Sequence, residues 1–283
     1  MSYTISQFNA KFPNDDVCLE YMFRRQYGTL TACVKCGVVS PKYYRVTGRK
    51  CFECKDCGHQ LHPLANTIFH KSSTSLRDWF HIIYMFSVAK NGISAKEIER
   101  QLGVTYKCAW RIANQVRLLM AQGAVKLSEI VEADEIYYGG KRRRDDPRGD
   151  NKVGIVGVVQ RRDSVKATVD PDPSASTVLP FLRHNVERDS LLMTDDSRIY
   201  YRSGKDFIHL SVNHSEHEYV RGNVHTGYID SFWSQLKRSL DGTHHCVSPK
   251  YLQRYLNQFV FHYNHRNEPA FPVLLEAVVL RVQ

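Results

Sequence analysis

Apolar positions follow helical spacing in the first part of the chain and strand spacing in the second. The change comes near residue 126, after helical segments that occupy residues 72 to about 121. Beyond it, short apolar runs predict strands at 130–138, 153–159, 164–169, 190–194 and 207–212. Amphipathic stretches predict helices at 176–186, 229–240 and 249–264. Three strands, a helix, a strand, then further strand and helix is the order of a ribonuclease-H-like α/β domain.

Residues 94–120 have the pattern of a helix-turn-helix. Ser94 followed three residues later by Glu97 forms a capping box, and Gly103 separates a short helix from a second one. An ordinary helical hairpin packed in a core is the alternative for this stretch. In a helix-turn-helix, the exposed start of the second helix would enter the major groove of DNA. Its contacting residues would be Thr105, Tyr106, Lys107 and Arg111.

Two cysteine pairs indicate a zinc ribbon near the N-terminus. Seventeen residues separate the pairs, and each pair has two intervening residues, the spacing of four thiolates around one tetrahedral Zn²⁺. Cys51 forms a third such pair with Cys54. We leave it out because residues 54–58 repeat the pattern of residues 33–37. The expected structural zinc ligands are Cys33, Cys36, Cys54 and Cys57.

Composition indicates a water-soluble globular protein. The chain of 283 residues is 42% hydrophobic and 24% charged, which excludes a disordered tail, a collagen-like fibre and a membrane bundle. No apolar run reaches about 18 residues, the length that a spanning helix needs, and the first residues lack the features of a signal peptide. We therefore expect a cytoplasmic protein that binds no membrane.

The positive charge lies almost entirely in the front part. Residues 1–125 hold 17 basic and 8 acidic side chains, a net charge of +9, whereas residues 126–283 hold 22 and 21, a net charge of +1. Such a distribution favours a polyanion-binding region attached to an enzyme domain. A further basic run at 141–144 is expected to contact DNA backbone without reading sequence.

Three carboxylates stand at positions that suit a metal site. Asp134 lies in an otherwise apolar strand, Asp195 closes another strand, and Asp230 begins a helix. Lys237 follows two helical turns after Asp230, on the same face. Three converging carboxylates could hold two Mg²⁺ ions, which suits phosphodiester cleavage or transfer.

Several motifs together resemble the zinc-ribbon DDE transposases of bacterial insertion sequences, the ISXO-type group related to eukaryotic Merlin elements. They lie at 131–135, 193–196, 224–226, 230–238 and 247–255, and the resemblance covers roughly residues 15–266. It implies a ribonuclease-H-like fold and transposition that depends on Mg²⁺, with Mn²⁺ as a substitute.

By position, Asp134 and Asp195 match the first and second catalytic aspartates of that family, and Lys237 matches its downstream basic residue. Asp230 stands where the third acid, often Glu, is expected. Gly227 stands where family members often have Asn. If Asp230 were not a ligand, Glu216 or Glu218 would be the substitutes.

The resulting expectation is an α/β protein with three parts. Residues 1–70 form a helical lead-in and the zinc ribbon, 71–125 the helix-turn-helix region, and 126–283 the catalytic domain with C-terminal helices. The protein would bind double-stranded DNA at the element's terminal repeats and cut and join strands, as a homo-oligomer because transposases must synapse two ends. One alternative is a DNA-binding regulator whose catalytic domain has decayed. Another is a nuclease that cuts without joining.

Overall fold

The computed structural model describes residues 3–139 and 152–280, which form two compact units. The first unit contains the described residues up to Leu119 and those from Asn267 onward, and the second runs from Met120 to Arg266. The sequence predicts three parts and places the last residues with the catalytic domain, whereas the described residues from Asn267 onward belong to the first of two units. The charged segment from Lys141 to Asp150, including the expected DNA-contacting run, lies outside the described residues.

The first unit is mainly helical. Its helices begin at polar caps: the Asn14 side chain accepts from the Val17 amide, and that of Ser94 accepts from the Glu97 amide, as the capping pattern predicts. Gly103 ends one helix in the left-handed conformation (φ +65°) that glycine adopts without strain. The helices are α1 (Ile5–Lys11), α2 (Asp15–Tyr27), α3 (Leu76–Val88), α4 (Ala95–Leu102), α5 (Tyr106–Leu119) and α9 (Ala270–Leu280).

Aromatic side chains form the centre of this helical unit. Phe12 lies edge-on to Phe80 of α3 at 5.0 Å between ring centroids, and to Phe271 of α9 at 6.0 Å. The sequence analysis did not predict α9. Its residues are nearly all apolar, so no amphipathic period distinguishes the helix, and its aromatic partners Tyr84 and Phe12 lie 187 and 259 residues earlier in the chain.

A small antiparallel sheet lies between α2 and α3 along the chain. Its strands are β1 (Tyr43–Arg45), β2 (Phe52–Cys54) and β3 (Gln60–Leu61), in the order β1-β2-β3. The Phe23 ring of α2 stacks on Phe52 of β2 with 4.1 Å between centroids. This contact joins the cysteine-bearing sheet to the helical lead-in.

The second unit contains a five-stranded sheet in the order β6-β5-β4-β7-β8. Strands β4, β5 and β6 are antiparallel neighbours, whereas β7 lies parallel to β4 and β8 parallel to β7. This is the strand arrangement of a ribonuclease-H-like α/β domain, as the element order predicts. The strands are β4 (Ile130–Tyr138), β5 (Val153–Gln160), β6 (Val165–Asp170), β7 (Leu191–Asp195) and β8 (Ile208–Val212).

Helices cover both faces of this sheet, so each face has its own apolar core. One core packs β5 and β6 against α7 (Gly227–Ser239) and α8 (Pro249–Asn264). The other packs β4 and β5 against α6 (Ala175–Asn185). Because alternate strand residues face opposite cores, the side chains of two consecutive acids on one strand point to opposite faces of the sheet.

No helix in residues 3–139 and 152–280 is long and apolar enough to cross a membrane.

Candidate metal centre and active site

The four cysteines expected to bind zinc come together in the first unit. Their Sγ atoms all lie within 4.8 Å of one another. Among the described residues they are the one set of three or more His, Cys, Asp and Glu ligands that is this close. Cys51 is fully buried but outside the set, which supports leaving it out. Four thiolates in this arrangement suit a tetrahedral Zn²⁺.

Each cysteine pair is held in a turn that aims both sulfurs at one point. The Gly37 amide donates to the Cys33 carbonyl, and the Gly58 amide donates to the Cys54 carbonyl, both at 2.9 Å. Both glycines have positive φ, +71° and +66°, which explains the glycine after each pair. Backbone amides of Cys36 and Lys35 lower the pKa of the Cys33 thiol to about 6, whereas at Cys36, against the lowering effect of the Val38 amide, burial and the neighbouring thiols raise the pKa to about 12.

Asp134 lies on β4 in the middle of the second unit's sheet. Its Cα pairs with that of Gly157 on β5, and the Trp233 indole Nε1–H donates to its Oδ2 at 3.0 Å. A Cβ on Gly157 would lie 2.5 Å from the Trp233 ring. Glycine at this position therefore leaves the space on β5 that the indole needs to contact Asp134. Burial raises the pKa of Asp134 to about 7, with added repulsion from Glu135, Asp195 and Asp230.

Asp195 is the last residue of β7, the strand parallel to β4. Its Oδ1 accepts from the Ser197 amide at 3.1 Å. Burial raises the pKa of Asp195, the Ser197 amide opposes that shift, and the charges of Asp196 and Asp230 add to it. His214, just beyond β8, lowers the pKa of Asp195.

Asp230 lies in the first turn of α7 and is exposed to solvent. The Thr226 hydroxyl donates to its Oδ2 at 3.0 Å. Since Asp230 raises the pKa of both other aspartates, the three carboxylates from β4, β7 and α7 belong to one electrostatic cluster. They are spaced more widely than the four thiolates. Lys237 is also exposed, two turns further along α7.

Glu135 and Tyr200 lie on the other side of the sheet from Trp233. The buried Tyr200 hydroxyl donates to Glu135 Oε2 at 2.6 Å, within the core that α6 covers. This agrees with the strand alternation, which separates Glu135 from Asp134. Burial raises the pKa of Glu135.

Sequence reasoning missed three residues around these acids: Trp233, Gly157 and Glu132. Glu132 is a fully buried acid two residues before Asp134, and the alternation of acids along this apolar strand was a usable signal for it. For the contact between Trp233 and Asp134, which are 99 residues apart in the chain, the sequence holds no comparable signal.

The four residues expected to contact DNA lie around the start of α5. Lys107 is exposed, and the Thr105 hydroxyl accepts from the Cys108 amide at 3.4 Å. The Tyr106 ring lies under the Lys96 ammonium at 5.2 Å. Arg111 stacks over the Trp79 ring at 5.7 Å. The helix, glycine, helix arrangement is present, and its role in reading DNA stays a prediction.

The chain is similar to two domains of known transposases. Residues 126–264 match the ISXO2-like transposase domain, and residues 13–60 match the transposase zinc-ribbon domain. A protein of the transposable element ISH50 of Halobacterium salinarum is 28% identical over 235 residues, covering 76% of this chain and 78% of that protein. A transposase-like protein of Haemophilus influenzae is 31% identical over 101 residues, covering 35% of this chain and 80% of that protein.

Solved structures with partial similarity include integration and transposition assemblies. An intasome of simian T-cell lymphotropic virus, in complex with a regulatory subunit of PP2A, has a TM-score of 0.35 at 15% identity, covering 62% of this chain and 66% of that one. A pre-cleavage Mos1 transpososome has a TM-score of 0.27 at 8% identity, covering 72% and 79%.

Proposed function

Because this chain belongs to the zinc-ribbon DDE transposases of insertion sequences, we propose that it binds the ends of its element and cuts and joins DNA at Asp134, Asp195 and Asp230. The observation that carries the proposal is the placement of the three acids: Asp134 and Asp195 each lie two residues beyond a paired position on the parallel strands β4 and β7, and Asp230 follows the residue of α7 whose amide bonds to β4. Burial and repulsion from neighbouring carboxylates, which raise the pKa of Asp134, support it. A divalent cation would relieve that repulsion, and carboxylate oxygens are the ligands that Mg²⁺ prefers.

Asp134, Asp195 and Asp230 would hold Mg²⁺, with Mn²⁺ as a substitute. The bound metal supplies Lewis acidity that activates the attacking oxygen and stabilises the leaving oxygen. Each carboxylate keeps one fixed donor: the Trp233 indole on Asp134, the Ser197 amide on Asp195 and the Thr226 hydroxyl on Asp230. These donors orient the acids.

The reaction has two steps at the same site. Water attacks the phosphodiester at the element's end, which breaks the bond between phosphorus and the 3′-oxygen and gives a 3′-hydroxyl and a 5′-phosphate. That 3′-hydroxyl then attacks a phosphodiester of the target strand, forms a new phosphodiester bond and displaces the target's own 3′-hydroxyl. Lys237 lies two turns from Asp230 on the exposed side of α7, where its ammonium would contact a DNA phosphate.

Recognition of the element's ends is assigned to the basic front part of the chain. The zinc ribbon would hold Zn²⁺ on Cys33, Cys36, Cys54 and Cys57, and the start of α5 supplies exposed polar and basic groups. The net charge of +9 in residues 1–125 provides affinity for the phosphate backbone. Synapsis of two ends would require a homo-oligomer.

The test is cleavage and joining of labelled element-end DNA in Mg²⁺ or Mn²⁺. The variant is Asp195→Asn, and its matched control is Asp189→Asn, the same charge change at an exposed residue before the opposite end of β7. We expect cut and joined products from wild type and the control and none from Asp195→Asn. DNA binding without any products from wild type would favour a regulator, and cutting without joining would favour a nuclease.

A further inference from the structure

Glu132 is a buried charge on β4 that is not among the proposed metal ligands. Its side chain is 0% exposed. It precedes Asp134 by two residues, so both side chains point to the same face of the sheet. A buried carboxylate strongly destabilises a fold unless other groups compensate its charge. The groups that compensate Glu132 all belong to elements around the aspartate cluster.

One oxygen of Glu132 anchors the start of α7. Its Oε2 accepts from the amides of Tyr228 at 2.7 Å and Ile229 at 3.1 Å. Amides in the first turn of a helix have no partner within the helix, and the positive end of the helix dipole favours a carboxylate there. The residue after Ile229 is Asp230, so this anchor lies one residue before the exposed acid.

The other oxygen of Glu132 pairs with Arg161, which directly follows β5. Arg161 Nε lies 2.7 Å from Glu132 Oε1, and only 14% of the arginine side chain is exposed. Its Nη2 donates to the His225 carbonyl at 3.1 Å and lies 3.0 Å from the sulfur of Met193. The His225 Nδ1 lies 3.4 Å from the same Glu132 oxygen.

Through these contacts, Glu132 and Arg161 reach each of the three elements that carry a proposed metal ligand. Glu132 and Met193 are paired Cα partners in the β4–β7 ladder, and each precedes an aspartate of its strand by two residues. The third element, α7, is bound through its first amides. The ion pair therefore lies beside positions two residues before the aspartates of both strands, and it also contacts the first turn of α7.

We propose that the Glu132–Arg161 ion pair is a positioning device. It holds α7, and with it Asp230, at a fixed distance from Asp134 and Asp195, and so determines how tightly the three acids bind divalent metal. The inference rests on the proposed function because it assigns these acids to a metal site. Glu132 and Arg161 touch neither DNA nor metal in this scheme, so they act only through the geometry of α7.

The first measurement needs no activity. Amide hydrogen exchange of the full, zinc-loaded chain without Mg²⁺ would be followed by mass spectrometry in the segment 226–233. Glu132→Asp keeps the charge but shortens the side chain by one methylene, and Glu132→Gln keeps the size but loses the charge. We expect both to speed exchange in this segment by roughly tenfold, the effect of losing a charged hydrogen bond. Asp206→Asn, which breaks the Arg183–Asp206 pair elsewhere in the unit, should leave the segment unchanged.

The second measurement is Mn²⁺ affinity of the same proteins, by titration calorimetry. We expect both Glu132 variants to bind Mn²⁺ roughly tenfold to a hundredfold more weakly, the usual range for residues that orient metal ligands. Arg161→Gln, which leaves Glu132 intact, should also weaken Mn²⁺ binding. This variant tests the proposal if a Glu132 variant does not fold.

Three results would overturn the proposal in different ways. Unchanged exchange in 226–233 would show that the pair does not anchor α7. Faster exchange with unchanged Mn²⁺ affinity would reduce Glu132 to a structural helix cap. If wild type binds no Mn²⁺ beyond the zinc site, the proposed function fails and the metal role of the pair fails with it, while the exchange result still decides whether the pair anchors the helix.

Discussion

Replacing Asp134 by Asn should stabilise the protein when Mg²⁺ is absent, although Asp134 is a proposed catalytic residue. Burial raises the pKa of Asp134 from 3.8 to about 7 in the folded protein. Asn keeps the size of the side chain and an oxygen to accept from the Trp233 indole. The substitution therefore removes the cost of the buried charge while leaving the neighbouring contact in place.

The sign and the pH window follow from proton linkage. The folded state binds the Asp134 proton more tightly than the unfolded state, so stability falls as pH rises between about 4 and 7. Each pKa unit is worth about 1.4 kcal/mol, so the charge destabilises folding by roughly 4 kcal/mol at pH 8 and by roughly 1.5 kcal/mol at pH 5. The advantage of Asp134→Asn should thus grow by roughly 2.5 kcal/mol from pH 5 to pH 8.

The assay is thermal unfolding in metal-depleted buffer without a chelator, so that zinc stays on the cysteines. For a unit of this size, roughly 2.5 kcal/mol corresponds to about 5–10 °C in Tm. The control Asp206→Asn should lower Tm by a similar amount at pH 5 and pH 8, because hydrogen bonds from Arg183 lower the pKa of Asp206 and its charge stabilises the fold at both values. Mg²⁺ at pH 8 should raise the Tm of wild type far more than that of Asp134→Asn. A variant whose advantage is the same at pH 5 and pH 8 would refute the reasoning.

Three further predictions concern the zinc ribbon, the contact beside Asp134 and helix α5. Cys54→Ser should lose bound zinc by elemental analysis whereas Cys51→Ser should retain it; zinc loss from both would contradict the ligand assignment. Gly157→Ala should lower stability by about 1–3 kcal/mol in thermal unfolding, because its Cβ would lie 2.5 Å from the Trp233 ring. An unchanged Tm would show that the indole moves aside freely. Lys107→Ala should weaken DNA binding and reduce the slope of log K against log salt by about 1. An identical salt slope would remove Lys107 from the interface.

Local patterns in the sequence were sufficient for most elements of the second unit. The strand at 130–138 and the helix at 249–264 have the predicted bounds, since each has a strong period and clear end signals. The remaining strands and helices differ by one or two residues, where end signals are weaker. The helix α9 escaped prediction because an all-apolar segment has no distinguishing period.

The sequence by itself was sufficient to identify the residues that we propose carry the chemistry. Cysteine spacing defined the zinc site because two residues between cysteines form one turn, and both turns show the expected glycines. Acids in apolar strands were conspicuous because burying a charge is costly, so Asp134 and Asp195 stood out without any structure.

Only the tertiary structure decided how those residues are held. The register of β4 with β7 places Glu132 beside Met193, and the packing of α7 places Trp233 on Asp134. The buried Glu132–Arg161 pair and the electrostatic coupling of three aspartates also depend on elements far apart in the chain. Local periodicity specifies which face of an element is buried, whereas the partner that covers it is set by packing among distant elements.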